Sequence, residues 1–120
     1  MKLTVLHYPK CGTCRKAVKW LKEKGYELEL VDLFEAAPSP LVLADLLQKS
    51  GLDIKKFFNT SGEVYKEMNL KDKLPQMSVQ DQIDLLSSNG RLVKRPIVTD
   101  GTQVTVGFKE EEFTSVWSGQ

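Results

Sequence analysis

A chain of 120 residues, 41% apolar and 28% charged, has material for one compact core and needs no disulfide staples. Seventeen basic against sixteen acidic residues leave a net charge of +1, which excludes a global drive toward nucleic acid, a membrane surface or strongly anionic partners. No apolar run approaches the ~20 residues that cross a bilayer, and the start at Met1–Pro9 lacks the apolar core and cleavage site of a signal peptide. A cytoplasmic protein is expected. There, two cysteines suit catalysis, redox exchange or metal binding better than a structural bridge.

Lys2 to His7, with Leu3, Val5 and Leu6, predicts a short buried strand that stops at Pro9. After the loop Pro9-Lys10-Cys11-Gly12-Thr13-Cys14, the helical spacing of Ala17, Val18 and Leu21 predicts a helix from the cysteine loop to Lys24, stopped by Gly25. Leu28, Leu30 and Leu33, interleaved with Glu29 and Asp32, predict the second strand. A β-α-β opening of this kind joins parallel strands by a right-handed crossover. The middle of the chain is helical. Ser39 caps a helix with Pro40 at its first position, running to Gly51. An amphipathic turn over 54–58 and a helical segment over 63–70 follow. Ser78 and Asp81 have capping-box spacing for a last insertion helix that Gly90 ends. Ile97-Val98-Thr99, a turn at Asp100-Gly101, and Val104-Thr105-Val106 predict a hairpin. A closing helix from Lys109 to Trp117 turns Phe113, Val116 and Trp117 inward. The sum is an α/β, thioredoxin-like fold: βαβ and ββα halves share one mixed sheet, with a helical insertion over about 38–92. With no repeat or linker, residues 1–120 are expected to form a single domain.

Cys-Gly-Thr-Cys lies between a strand and a helix start. The unpaired amides and partial positive charge there favour a thiolate at Cys11, and Lys10, Arg15 and Lys16 act in the same sense. Cys11 is the expected nucleophile, and Cys14, one turn into the helix, the thiol that resolves its adducts. Three other readings stay open. Zinc would need more than two thiolates and the lone His7. Cys14 also fits a buried core position, leaving Cys11 to act alone with glutathione, and both cysteines could be inert. His7, four residues before Cys11, either tunes the thiolate or is a structural residue at the strand end.

Arg95-Pro96 enters the next strand. In a thioredoxin fold a proline there, able to adopt a cis bond, faces the cysteine loop. The Arg95 guanidinium would then offer a fork for an oxyanion or carboxylate; the alternative is a surface arginine in a solvated basic run with Arg91 and Lys94.

His7-Tyr8-Pro9-Lys10-Cys11-Gly12-Thr13-Cys14-Arg15, Pro38-Ser39, Arg95-Pro96-Ile97 and Val106-Gly107-Phe108 resemble the glutaredoxin-coupled arsenate reductase family, including its Spx-type regulator branch, from about residue 3 to 117. The resemblance implies a thioredoxin fold, a cytosolic setting and Cys11 as nucleophile. Arsenate reductases of this type have serine where Cys14 stands and hold the oxyanion with three arginines. Here Arg95 matches one of them, Asn59 stands at another and the third falls near Gly107. Spx-type regulators carry Cys-x-x-Cys as a redox switch and bind the α subunit of RNA polymerase. The glycine of their polymerase surface corresponds to Asp53, and their basic tail has no counterpart after Trp117.

The expected activity is that of a thiol-dependent reductase. Cys11, Cys14 and Arg95 carry the chemistry, while His7, Gly12, Thr13, Arg15, Asn59 and Pro96 tune or position it. No metal or bound cofactor is expected; glutathione, glutaredoxin or thioredoxin would return electrons. The substrate would be a small anion or a disulfide. A redox-switched regulator docking RNA polymerase is the alternative, and in either case a monomer without direct nucleic-acid or membrane binding is expected.

Overall fold

Leu3 and Val5 alternate with more exposed neighbours along the first strand, β1 (Lys2–His7), which leaves one apolar face for a helix to cover. In the computed structural model, which describes residues 2–117, the strand pairs parallel with β2 (Glu27–Asp32) and antiparallel with β3 (Ile97–Thr99). β3 in turn pairs antiparallel with β4 (Val104–Val106), so the sheet is mixed, in the order β2-β1-β3-β4. This is the predicted βαβ plus ββα arrangement.

The crossover helix α1 (Gly12–Glu23) buries Cys14, Ala17 and Leu21, spaced three and four apart on one face. Ala17 and Leu21 join Leu3, Val5, Tyr26, Val98, Phe113 and Trp117 in one core. Phe113 and Trp117 come from the closing helix, which spans Glu110–Trp117. Trp117 is fixed at both ends: its indole N–H donates to the Thr105 hydroxyl at 3.0 Å, and its carbonyl accepts from the Tyr26 hydroxyl. The strand at the sheet edge departs from its predicted shape. Leu30 is 44% exposed, and Leu33 lies beyond the end of β2.

The chain divides into two compact units, one holding the segments up to Asp32 and from Arg95, the other Leu33–Lys94. The second unit corresponds to the predicted insertion, begun five residues earlier. Its helices are α2 (Pro40–Ser50), α3 (Glu63–Glu67), α4 (Leu70–Lys73) and α5 (Val79–Ser88); the closing helix of the first unit is therefore α6. The caps follow the sequence: the Ser39 hydroxyl accepts from the Val42 amide at 3.3 Å, and the Ser78 hydroxyl from the Asp81 amide at 3.1 Å. The segment expected over 63–70 breaks in two because Asn69 takes a left-handed conformation, φ 53°. Buried Gln82 bonds the Leu74 and Met77 carbonyls and so ties the short turn over 74–76 to α5.

Gly90 does not terminate α5. The helix ends at Ser88 with Asn89 as its cap, and Gly90 opens a short 3-10 turn. What requires glycine is space: a Cβ there would stand 1.7 Å from the Leu33 carbonyl oxygen. Gly90→Ala should therefore lower stability by about 1–3 kcal/mol through forced overpacking. Gly12→Ala, whose Cβ meets nothing within 4 Å, should change it by less than about 1 kcal/mol. Urea midpoints at constant slope measure both, and equal midpoints for the two variants would refute the steric assignment.

Candidate active site at the start of helix α1

β1 delivers the chain to the end of the sheet at His7, and four residues build the turn into α1. The Cys11 amide donates to the Tyr8 carbonyl at 3.0 Å, and the Arg15 Nε reaches back to the Pro9 carbonyl at 2.9 Å. The turn is thus braced from inside the helix it leads into. Cys11 is the N-cap residue, with extended φ/ψ of −83° and 122°, so its sulfur stands before the helix's unpaired first amides. Gly12 and Thr13 are the first two helical positions, both exposed.

The two thiols differ in environment. Cys11 is half-buried and Cys14 fully buried, and each thiol acts on the titration of the other. Burial pushes the Cys11 thiol up. The backbone N–H and thiol of Cys14, then the Arg95 guanidinium by hydrogen bond and charge, outweigh it and bring the pKa below the ordinary value of 9.0. Cys14 moves the opposite way, pushed up to about 12 by burial and by the neighbouring Cys11 charge, against the lowering effect of the Tyr8 backbone. Cys11 therefore gives up its proton at lower pH than Cys14 does.

Arg95 reaches this site through strand register. Leu6 opposes Ile97 in the antiparallel β1/β3 pair, and continuing that register by two residues sets Arg95 opposite Tyr8. The guanidinium carbon lies 5.9 Å from the centre of the Tyr8 ring, a cation–π contact. Its Nε and Nη1 are buried. The Arg95–Pro96 bond is cis, and the buried Pro96 offers its carbonyl to the Gly107 amide at 2.8 Å. Gly107, at φ 85°, holds a conformation that favours glycine, which accounts for the Val-Gly-Phe spacing after β4.

Other predicted residues have partners of their own. His7, 9% exposed at the end of β1, opposes Asp32 in register; burial lowers its pKa and the Asp32 charge raises it. Its electrostatic partner is Asp32, whereas the groups that lower Cys11 are Cys14 and Arg95. Asn59 belongs to the other unit, where its amide donates to the Leu92 carbonyl at 2.7 Å. Tyr8 was not singled out by the sequence reading, although its backbone faces Cys14 and its ring lies under Arg95. An aromatic residue three before a cysteine carries no signal until the register is known. Among the described residues, no group of three or more His, Cys, Asp or Glu side chains could hold a metal ion.

The ArsC family model matches residues 6–116. The chain belongs to the ArsC family. It is 57% identical over 118 residues to the uncharacterized protein YusI of Bacillus subtilis, covering 98% of this chain and 100% of the relative. The regulatory protein MgsR of the same organism is 30% identical over 111 residues, with 92% and 86% covered. A crystal structure of an ArsC family related protein from Bacteroides fragilis superposes with a TM-score of 0.92 at 49% identity, over 96% of this chain and 97% of that one. The matched span contains the cysteine loop, Arg95-Pro96 and the Val106-Gly107-Phe108 turn.

The geometry predicts that Cys11 alkylates as a thiolate at lower pH than a free cysteine. Arg95→Ala, which removes both a hydrogen bond and a charge, should move the midpoint of the iodoacetamide rate profile upward. An unmoved midpoint would exclude Arg95 from the site. For His7, Asp32→Asn removes the one raising influence, so its NMR titration should shift to still lower pH.

Proposed function

We propose that the chain is a thiol–disulfide oxidoreductase of the ArsC family, with Cys11 as nucleophile and Cys14 as resolving thiol. One observation carries the reading. A half-buried thiol at the helix N-cap, favoured as thiolate, stands one turn before a fully buried thiol that keeps its proton. That division of labour is what a two-step exchange requires.

In the first step the Cys11 thiolate attacks one sulfur of a disulfide. A new S–S bond forms, the old one breaks, and the leaving half departs as thiolate. The charge on Cys11 is then gone, and with it one of the influences that raise Cys14. Cys14 gives its proton to the thiolate that left first, attacks the Cys11 sulfur and expels the second half as thiolate. Two electrons have passed to the substrate, and Cys11–Cys14 is left as a disulfide for glutathione, glutaredoxin or thioredoxin to reduce. Arg95, beside the reacting sulfur, orients an anionic group on the substrate and favours departing thiolate charge. No bound cofactor takes part, and a reducing, cytoplasmic setting suits the cycle.

Low-molecular-weight mixed disulfides are the favoured substrate class. Arsenate is a poorer fit, because the single guanidinium of Arg95 supplies one fork where an oxyanion is best held by several. The likeness to MgsR, a regulatory protein, supports a second reading in which the same Cys11–Cys14 bond gates docking to a partner such as the RNA polymerase α subunit.

Intact-mass analysis after alkylation tests the cycle. With glutathione disulfide, the wild type should form an internal disulfide. Cys14→Ser should stop at a glutathione adduct on Cys11 with turnover at least about 100-fold lower, and Cys11→Ser should form neither. Full turnover by Cys14→Ser would overturn the resolving role and leave a monothiol mechanism.

A further inference from the structure

A groove of about 510 Å³ lies between α1 and β2, outside the thiol chemistry. Pro9, Val18 and Leu30 give it an apolar floor. Arg15, Lys19 and Lys22 form a basic rim, with Glu23 the one carboxylate lining it. Cys11, Arg15, Val18 and Lys22 are spaced four, three and four apart, so the groove follows one face of the helix away from the nucleophile. That face is not the core face of Cys14, Ala17 and Leu21. Lys19 and Lys22 are exposed and, among the described residues, form no ion pair.

The outer wall is a sheet edge. β2 pairs with β1 on one side only, so along its other side lies a row of backbone donors and acceptors. Leu28, Leu30 and Asp32 share the face toward α1, and Asp32 acts there on His7. Glu27 and Glu29 stand on the opposite face, where Glu29 pairs with Lys2 at 3.7 Å.

We infer that this groove docks an extended acidic segment of a partner protein, added as a strand along the open edge of β2. Backbone pairing with β2 supplies affinity, and the pleat sends alternate side chains to opposite faces. On the α1 side, acidic groups meet Arg15, Lys19 and Lys22, and apolar ones cover Leu30. On the other side Glu27 and Glu29 repel acids, so the segment must alternate in charge. A small amphipathic anion fits the floor and rim but leaves the strand edge unused, which favours the peptide.

The test is an NMR titration of the full-length, reduced, 15N-labelled protein with an end-blocked ten-residue peptide alternating Glu and Val. Amides over 27–32 and 15–22 should shift, and the Lys19→Glu/Lys22→Glu double variant should bind about tenfold more weakly, since attraction becomes repulsion. Leu30→Glu, at an exposed position, should weaken binding similarly. Cys11→Ser should bind as the wild type does, which separates docking from thiol exchange. Equal binding of a Lys–Val peptide, an unaffected double variant, or shifts absent from β2 would overturn the proposal. Shifts with decanoate but not with the peptide would do so too, assigning the groove to a small anion.

Discussion

The Cys11 sulfur is served from two directions, by the amide of Cys14 in the first turn of α1 and by the guanidinium of Arg95 arriving at the start of β3. Neither group is near the other in construction: one comes with the helix, the other with a strand eighty-four residues on. Their meeting depends on the antiparallel register of β1 and β3, which sets Arg95 against Tyr8. It depends equally on the turn over Tyr8–Cys11, braced by Arg15. Slip the register by one residue and Arg95 would face the other side of the sheet. The core beneath α1, through Ala17 and Leu21 against Leu3 and Val5, is therefore part of what tunes the thiol, because it fixes where the helix begins.

Much of this could be read from the residues. The spacing of Ala17 and Leu21, the Ser39-Pro40 and Ser78 starts, and the alternation of β1 are local signals, and local signals survive without a structure. The two cysteines and Arg95 were named for their chemistry. What could not be read was whatever depends on contacts between distant segments. Gly90 looks like a helix stop, yet the reason for glycine there is the Leu33 carbonyl, fifty-seven residues earlier. Leu30 looks like a buried strand residue, but β2 is an edge and leaves it partly open. Tyr8 and the pairing of His7 with Asp32 emerge only from register.

The paired cysteines also show how one motif divides its labour. Both sit within a single helical turn, and sequence already casts the first as nucleophile and the second as resolver or core residue. Depth separates them. Cys14 falls on the core face with Ala17 and Leu21, where removing water penalises charge, while Cys11 caps the helix, where amides welcome it. The core position and the resolving role are not competing explanations of Cys14, since its burial is what keeps its proton in place until the neighbouring sulfur has reacted.

That separation fixes the proton stoichiometry of the couple. With Cys14 pushed up to about 12 and Cys11 below its ordinary value, the reduced pair carries one proton and one negative charge across a broad span of pH. The disulfide carries neither. In that span, reduction takes up two electrons but a single proton, so the midpoint potential falls by about 30 mV per pH unit, half the slope of a fully protonated dithiol. Within that span, which opens at the lowered pKa of Cys11 and closes near that of Cys14, a change of pH moves this couple less than a pair whose thiols both retain their protons.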